Sequence, residues 1–421
     1  MVVVVMNRKI LEYVENKEKD LEDIFKNIDN IEFINSKKVL DAFINNNIDE
    51  ACFNTTTGYG YNDIGRDKIE KVFSTVLNTE DALVRSQFIS GSHALTVCFF
   101  ALLRPNDILV SITGKPYDTL DEVIGIRDNL SSLKSFNINY HQIDLINDDF
   151  DYDKIKNYIL NHKVKVIEIQ RSRGYSMRKS ITIDKLKKVI DFIKKIDSDI
   201  IIMVDDCYCE FVNCLSPSDV GADISVGSLI KNLGGAIASS GAYIAGKKDL
   251  VKLCSERLNL PGEAKDVGPS MNFNKEFLMG LYNAPRVVAD ALKLNVLTSY
   301  VLSSLGYNTS PKYNEEKADI VLMITFNNKD KLIDYVRSIQ NSSPIDSASV
   351  VVASNMPGYE DEIIMASGSF TQGSSIELSC DGPLKEPYNG FMQGAFSYSY
   401  GKIALVRAIE KLSLEVFKWK V

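Results

Sequence analysis

Residues 164–206 read VKVIEIQRSRGYSMRKSITIDKLKKVIDFIKKIDSDIIIMVDD. The opening run VKVIEIQ and the closing run DIIIMVDD are short, apolar and rich in β-branched residues, the composition of buried strands. Between them Leu186, Val189, Ile190 and Ile193 recur three and four apart with lysines interleaved, one apolar face of an amphipathic helix over 182–196. Strand, helix, strand with a crossover of this length predicts a parallel pair. Working outward, the alternation repeats. Strands are expected at LVRSQFI (83–89), DILVSIT (107–113), ADISVGS (222–228) and GAYIAG (241–246), and helices at SHALTVCFFALL (92–103) and TLDEVIGIRDNL (119–130). This pattern predicts an α/β fold, a mostly parallel sheet covered by helices.

The flanks differ. Residues 10–28 and 36–48 carry helical spacing, followed by the polar loop NTTTGYGYNDIGR (54–66). After about residue 260 a long helix is expected over 274–306. Strands ADIVLMITF (318–326) and SSIELSC (374–380), a helix over 328–340 and a closing helix over 399–418 then predict a smaller C-terminal α+β domain. The expected division is 1–60 (helical arm and loop), 61–260 (α/β domain) and 261–421 (α+β domain).

Composition narrows the function. The 421 residues carry 48 Lys and Arg against 56 Asp and Glu, a net charge of -8, which argues against nucleic-acid or membrane-surface binding. The opening MVVVVM is too short for a membrane span or a signal core and reads as a loose end or an edge strand. Seven scattered cysteines without a C-x-x-C pattern favour a reducing, cytoplasmic setting. Three dispersed histidines (His93, His141, His162) leave no expected metal site.

In an open α/β sheet, ligands bind at the carboxyl ends of the strands. Ser90-Gly91-Ser92, Tyr117, Arg173, Asp205-Asp206, Ser228 and Lys231 stand at those ends. Ser90, Gly91 and Ser92 open a helix and offer N–H groups and hydroxyls to a phosphate, though Ser90 also reads as a plain N-cap. Ser228 adds a hydroxyl, and Tyr117 offers a ring for stacking. Asp205 needs a cationic partner, which a pyridinium would supply. Lys231 would bond to an aldehyde, and the glycines after it would let the backbone pass close to the ligand. These types together point to pyridoxal phosphate. Asp205-Asp206 as a magnesium site is a rival reading. The S-x-x-K match Ser228–Lys231 lacks the companion S-D-N and K-T-G motifs of an acylating serine, and GYGYNDIG (58–65) lacks the third glycine of a dinucleotide loop.

The set SGSHA, GKPYDTLDEVIG, QRSRGYS, VDDCYCEF, SLIKNLGG and GSSIELSCDGPLKEPY resembles the methionine γ-lyase-related proteins, often labelled aluminium-resistance proteins. They belong to the cystathionine-metabolising branch of fold-type I pyridoxal phosphate enzymes. The resemblance implies that Lys231 bonds to the cofactor, Asp205 pairs with the pyridine nitrogen, and Tyr117 stacks on the ring. It also implies that Gly91, Ser92 and Ser228 hold the phosphate. Tyr59, or its rival Tyr61, and Arg66 match a loop that reaches from a neighbouring subunit, which implies a homodimer or dimer of dimers with shared sites. Tyr59 or Tyr117 would protonate a leaving group. The substrate carboxylate falls to Lys385, where the wider family carries arginine, or to Arg173. The activity so implied is β- or γ-elimination from a sulfur-containing amino acid. Alternatives are transamination, aldol-type cleavage, or cofactor binding without turnover.

Overall fold

The computed structural model describes residues 7–356, 359 and 361–412; the MVVVVM run and the last residues of the expected closing helix lie outside them. The chain opens with helices Arg8–Lys19 (α1) and Glu22–Asn45 (α2). The break falls at Asp20-Leu21, earlier than the spacing predicted, and the 29–35 stretch is helical. Two compact units follow from the contacts, 34–285 and 1–33 with 286–421. The divisions run through α2 and through a long helix near residue 285, whereas the sequence placed them at 60 and 260.

In the 34–285 unit, Ile64–Val76 (α3) leads to strand Asp81–Arg85 (β1) and helix Gly91–Leu102 (α4). Then come Ile108–Ser111 (β2), the short Asp121–Ile124 (α5), Asn139–Gln142 (β3), Tyr152–Asn161 (α6) and Val164–Gln170 (β4). Ile183–Ile196 (α7), Ile201–Asp205 (β5), Ile224–Ser228 (β6), Ala242–Gly246 (β7) and Lys248–Leu258 (α8) complete it. The seven strands lie in the order β1-β7-β6-β5-β4-β2-β3, with β7 antiparallel to both neighbours and the others parallel to one another. Alternate residues enter two cores. Leu109, Val166 and Met203 pack with α4 and α8, whereas Val110, Ile167, Ile202 and Val204 pack with α6 and α7. Burial on both faces is why these strands read as continuous apolar runs. The helix expected over 119–130 stops at Ile124, because Gly125 turns left-handed (φ 96°) and caps it. Strand β1 ends at Arg85, short of the predicted Ile89.

The other unit carries the C-terminal part of Asn274–Ser304 (α9), Asn308–Ser310 (β8), Val321–Thr325 (β9) and Lys329–Asn341 (α10). Ile363–Ala366 (β10), Ser379–Pro383 (β11), Asn389–Gln393 (β12) and Tyr398–Lys411 (α11) follow. Its five strands form an antiparallel sheet, β10-β11-β12-β9-β8. The strand expected over 374–380 begins only at Ser379.

Candidate active site

A cleft of about 110 Å³ opens at the carboxyl ends of β4, β5 and β6. Ser90, Gly91, Ser92, Tyr117, Asp205, Ser228 and Lys231 all line it, with Gln170, Cys207 and Tyr208 among their neighbours. The sheet explains the convergence. Gln170, Asp205 and Ser228 are the last residues of adjacent parallel strands, and Gly91 is the first residue of α4.

Each group has a local cause. The Ser90 hydroxyl accepts the His93 N–H at 3.0 Å, so the N-cap reading holds and the first turn of α4 is fixed. A Cβ on Gly91 would stand 3.2 Å from Cys207 Sγ and 3.3 Å from Ser228 Cβ, so any larger residue would crowd this end of α4. Ser92 Oγ shares a 2.7 Å hydrogen bond with Thr119 Oγ1. Asp205 is 6% exposed, and its Oδ1 accepts the Cys207 N–H at 3.1 Å. Burial raises its pKa, and the nearby Lys231 charge opposes that rise only in part. For Lys231, burial disfavours the ammonium, but Tyr208, Cys207 and Asp205 outweigh it and hold the group protonated above the usual lysine range. The ammonium lies 3.8 Å over the Tyr208 ring.

Tyr208 is the residue that sequence reasoning passed over, although VDDCYCEF was in view. Its φ of 71° puts a bulky side chain in the left-handed region. Such strain clusters at functional sites. Gln170 was also missed, and the rule of strand carboxyl ends would have found it. The glycines after Lys231 serve another purpose than the one expected. A Cβ on Gly234 would strike the Leu229 carbonyl at 1.5 Å, and one on Gly235 the Gly280 carbonyl of α9 at 2.2 Å. They permit backbone packing.

Other candidates lie elsewhere. Asp206 pairs with Arg171 at 2.5 Å, so its carboxylate is engaged away from the magnesium role. Arg173 is buried and is not among the residues lining the cleft. Lys385 belongs to the other unit, where its exposed ammonium meets Asp361 at 2.7 Å. Tyr59 and Tyr61 are 72% and 53% exposed, with ring centroids 5.7 Å apart. Arg66 is buried. It donates to the Gly60 and Gly268 carbonyls at 2.6 and 3.0 Å and pairs with Asp67 at 3.0 Å. The guanidinium expected to reach outward is thus engaged within its own chain.

The donor set fits pyridoxal phosphate. A lysine can bond to the aldehyde, and a buried carboxylate awaits a ring N–H. A glycine-opened helix N-terminus with two serines suits the phosphate, and Tyr117 walls the cleft. A profile of the methionine gamma-lyase family matches residues 10–413. The chain belongs to that family. Its relatives include YnbB of Bacillus subtilis, an uncharacterised protein 43% identical over 94% of both chains. A solved Listeria monocytogenes structure, a candidate cystathionine beta-lyase involved in aluminium resistance, is 44% identical. It covers 96% of this chain and 100% of its own, with a TM-score of 0.93. YhfS of Escherichia coli, described as pyridoxal 5'-phosphate dependent, shares the fold at 15% identity and a TM-score of 0.62, over 92% of this chain and 97% of its own. The mostly parallel sheet with an antiparallel C-terminal sheet is the fold-type I architecture that the resemblance implied.

Proposed function

We propose that this protein is a pyridoxal phosphate-dependent carbon–sulfur lyase acting on a sulfur-containing amino acid by β- or γ-elimination, in the cytoplasm. The observation that carries the reading is one cleft gathering Lys231, Asp205, Gly91, Ser92, Ser228 and Tyr117. When bound, the cofactor supplies a ring that accepts electrons released at the substrate α-carbon. Lys231 tethers it and then, as free amine, takes the α-proton. The Asp205 carboxylate keeps the ring nitrogen protonated. Gly91 N–H, Ser92 and Ser228 hold the phosphate, and Tyr117 orients the ring. The departing sulfur takes its proton from Tyr59 or Tyr61 of a second copy of the chain. Exposed, stacked tyrosines on a loop tied down through Asp63 support that assignment. Arg66 shapes this loop, and the substrate carboxylate is received by Lys385 or Arg173.

The test is product formation. Purified protein with the cofactor is given L-cystathionine or L-methionine, and thiol and 2-oxo acid are measured together. Equal release of both is expected. An amino-group exchange product or an aldehyde would replace this reading with transamination or aldol-type cleavage. Cofactor absorbance without any product would mean binding alone. For the shared site, Tyr59→Ala and Lys231→Ala chains are mixed under subunit exchange. Recovery approaching about a quarter of wild-type activity is expected for random pairing, and no recovery despite exchange would mean each chain builds its own site.

A further inference from the structure

The 286–421 part of the chain holds a cavity of about 310 Å³, within the range of small-molecule sites. Pro344, Phe370, Leu378, Phe396 and Tyr400 wall it, and Glu377 lies among them. Phe370, Phe396 and Tyr400 are 67%, 45% and 66% exposed, while Glu377 is only 5% exposed. The Phe370 and Phe396 rings stand 6.2 Å apart at 53°. The Glu377 carboxylate accepts the Phe370 N–H at 2.9 Å on Oε2 and the Thr371 N–H at 3.1 Å on Oε1.

Those two bonds occupy half of what a carboxylate accepts. Among the described residues, no Lys, Arg or His forms an ion pair with Glu377, and no lining residue is positively charged. A buried carboxylate without a cation is costly. Exposed aromatic rings grouped around it are the usual surroundings of an organic cation, because ring faces attract positive charge. We propose that this cavity binds an organic ammonium ion with an apolar body.

The chemistry excludes other occupants. A metal ion would find one carboxylate and the neutral hydroxyls of Ser342, Ser343 and Tyr400 among apolar walls, short of the six or more oxygens that hard cations take. An anion would meet Glu377. At the first turn of α11, Ser397 already caps the Tyr400 N–H at 3.4 Å. A free amino acid would bring its carboxylate to a wall without a cation. The ligand class is therefore an amine without an acid group, distinct from the amino-acid substrate proposed above and independent of that reading.

The test uses phenyltrimethylammonium chloride and isothermal calorimetry on the full-length protein. A quaternary nitrogen cannot condense with an aldehyde, so the signal is separate from cofactor chemistry. Saturable binding of one cation per chain is expected. Glu377→Gln should weaken it about tenfold or more, and Phe396→Leu several-fold. Neutral 2-phenylethanol should bind much more weakly. Circular dichroism checks each fold. If Glu377→Gln fails to fold, Phe396→Leu and the neutral probe carry the comparison. Absence of saturable binding would overturn the site, as would equal affinity for the alcohol. Unchanged affinity in folded Glu377→Gln would mean that the carboxylate only shapes the 369–375 loop.

Discussion

Asp205 and Glu377 are both buried carboxylates, 6% and 5% exposed, one in each compact unit. Their compensation differs. Asp205 accepts one N–H, from Cys207, and feels the charge of Lys231; Glu377 accepts two N–H groups and pairs with no cation among the described residues. A carboxylate that ends a parallel strand has its carboxylate end open to a neighbouring strand's loop, so a cation from the same chain can reach it. The Glu377 carboxylate, held by the turn at 369–374, accepts from two backbone N–H groups and meets no cation among the described residues. The first arrangement builds a charge pair that chemistry can use. The second leaves a charge for a ligand to meet. What distinguishes them is the element that carries each residue, since both are carboxylates and their burial is alike.

The comparison breaks most sharply at Lys231. Lys231→Ala should remove covalent cofactor attachment and lower elimination by at least about a thousandfold, roughly 4 kcal/mol of barrier. Borohydride trapping followed by peptide mapping checks it, and cofactor fixed to another lysine would sink the assignment. Asp205→Asn keeps the shape and removes the charge. Exchange of the substrate α-proton in heavy water, followed by NMR, should slow by about a hundredfold. An unchanged rate would leave Asp205 a structural carboxylate like its counterpart.

Tyr208 sharpens the comparison, because it helps hold the Lys231 proton. Tyr208→Phe keeps the ring beneath the ammonium and loses the hydroxyl. Free amine should then be more abundant at neutral pH, so cofactor-free protein should take up pyridoxal phosphate roughly three- to tenfold faster. Stopped-flow absorbance reads the rate, and no change would place Tyr208 outside this charge pair.

The last effect, on stability rather than on the site's chemistry, concerns a third buried carboxyl. Glu168 on β4 accepts the Ser111 hydroxyl at 2.6 Å, and burial pushes its pKa up to about 7 from 4.5. The folded state therefore binds the proton more tightly than the unfolded one. Stability attributable to Glu168 is highest below pH 4.5 and declines as pH rises towards 7. Glu168→Gln should be more stable than wild type above pH 7 by about 1–3 kcal/mol, with the difference vanishing in acid. Thermal melts across that range decide it; a pH-independent difference would mean that packing, not charge, separates the two.

How much was legible follows the same physics. Val164–Gln170 was read with its true bounds, because a strand buried on both faces is a continuous apolar run between polar breaks. Asn139–Gln142 went unread, being a polar edge strand whose pairing comes wholly from β2. Gly91 and Lys231, which line the cleft, were singled out because their neighbours announce a turn. Tyr208 was not, since a left-handed backbone at a tyrosine leaves no mark in composition.

The order of apolar runs and breaks in this sequence determined the buried central strands β4, β5 and β6, the crossover helix and the residues at those strands' carboxyl ends, because local periodicity depends only on near neighbours. The direction of the Arg66 guanidinium was decided by tertiary structure. Its partner Gly268 lies 202 residues away, and no local pattern carries that distance. The tight packing of Gly235 against Gly280 and the apolar chamber around Glu377 have the same origin. Each depends on segments that meet only once the chain has folded, where close packing and desolvation set the geometry.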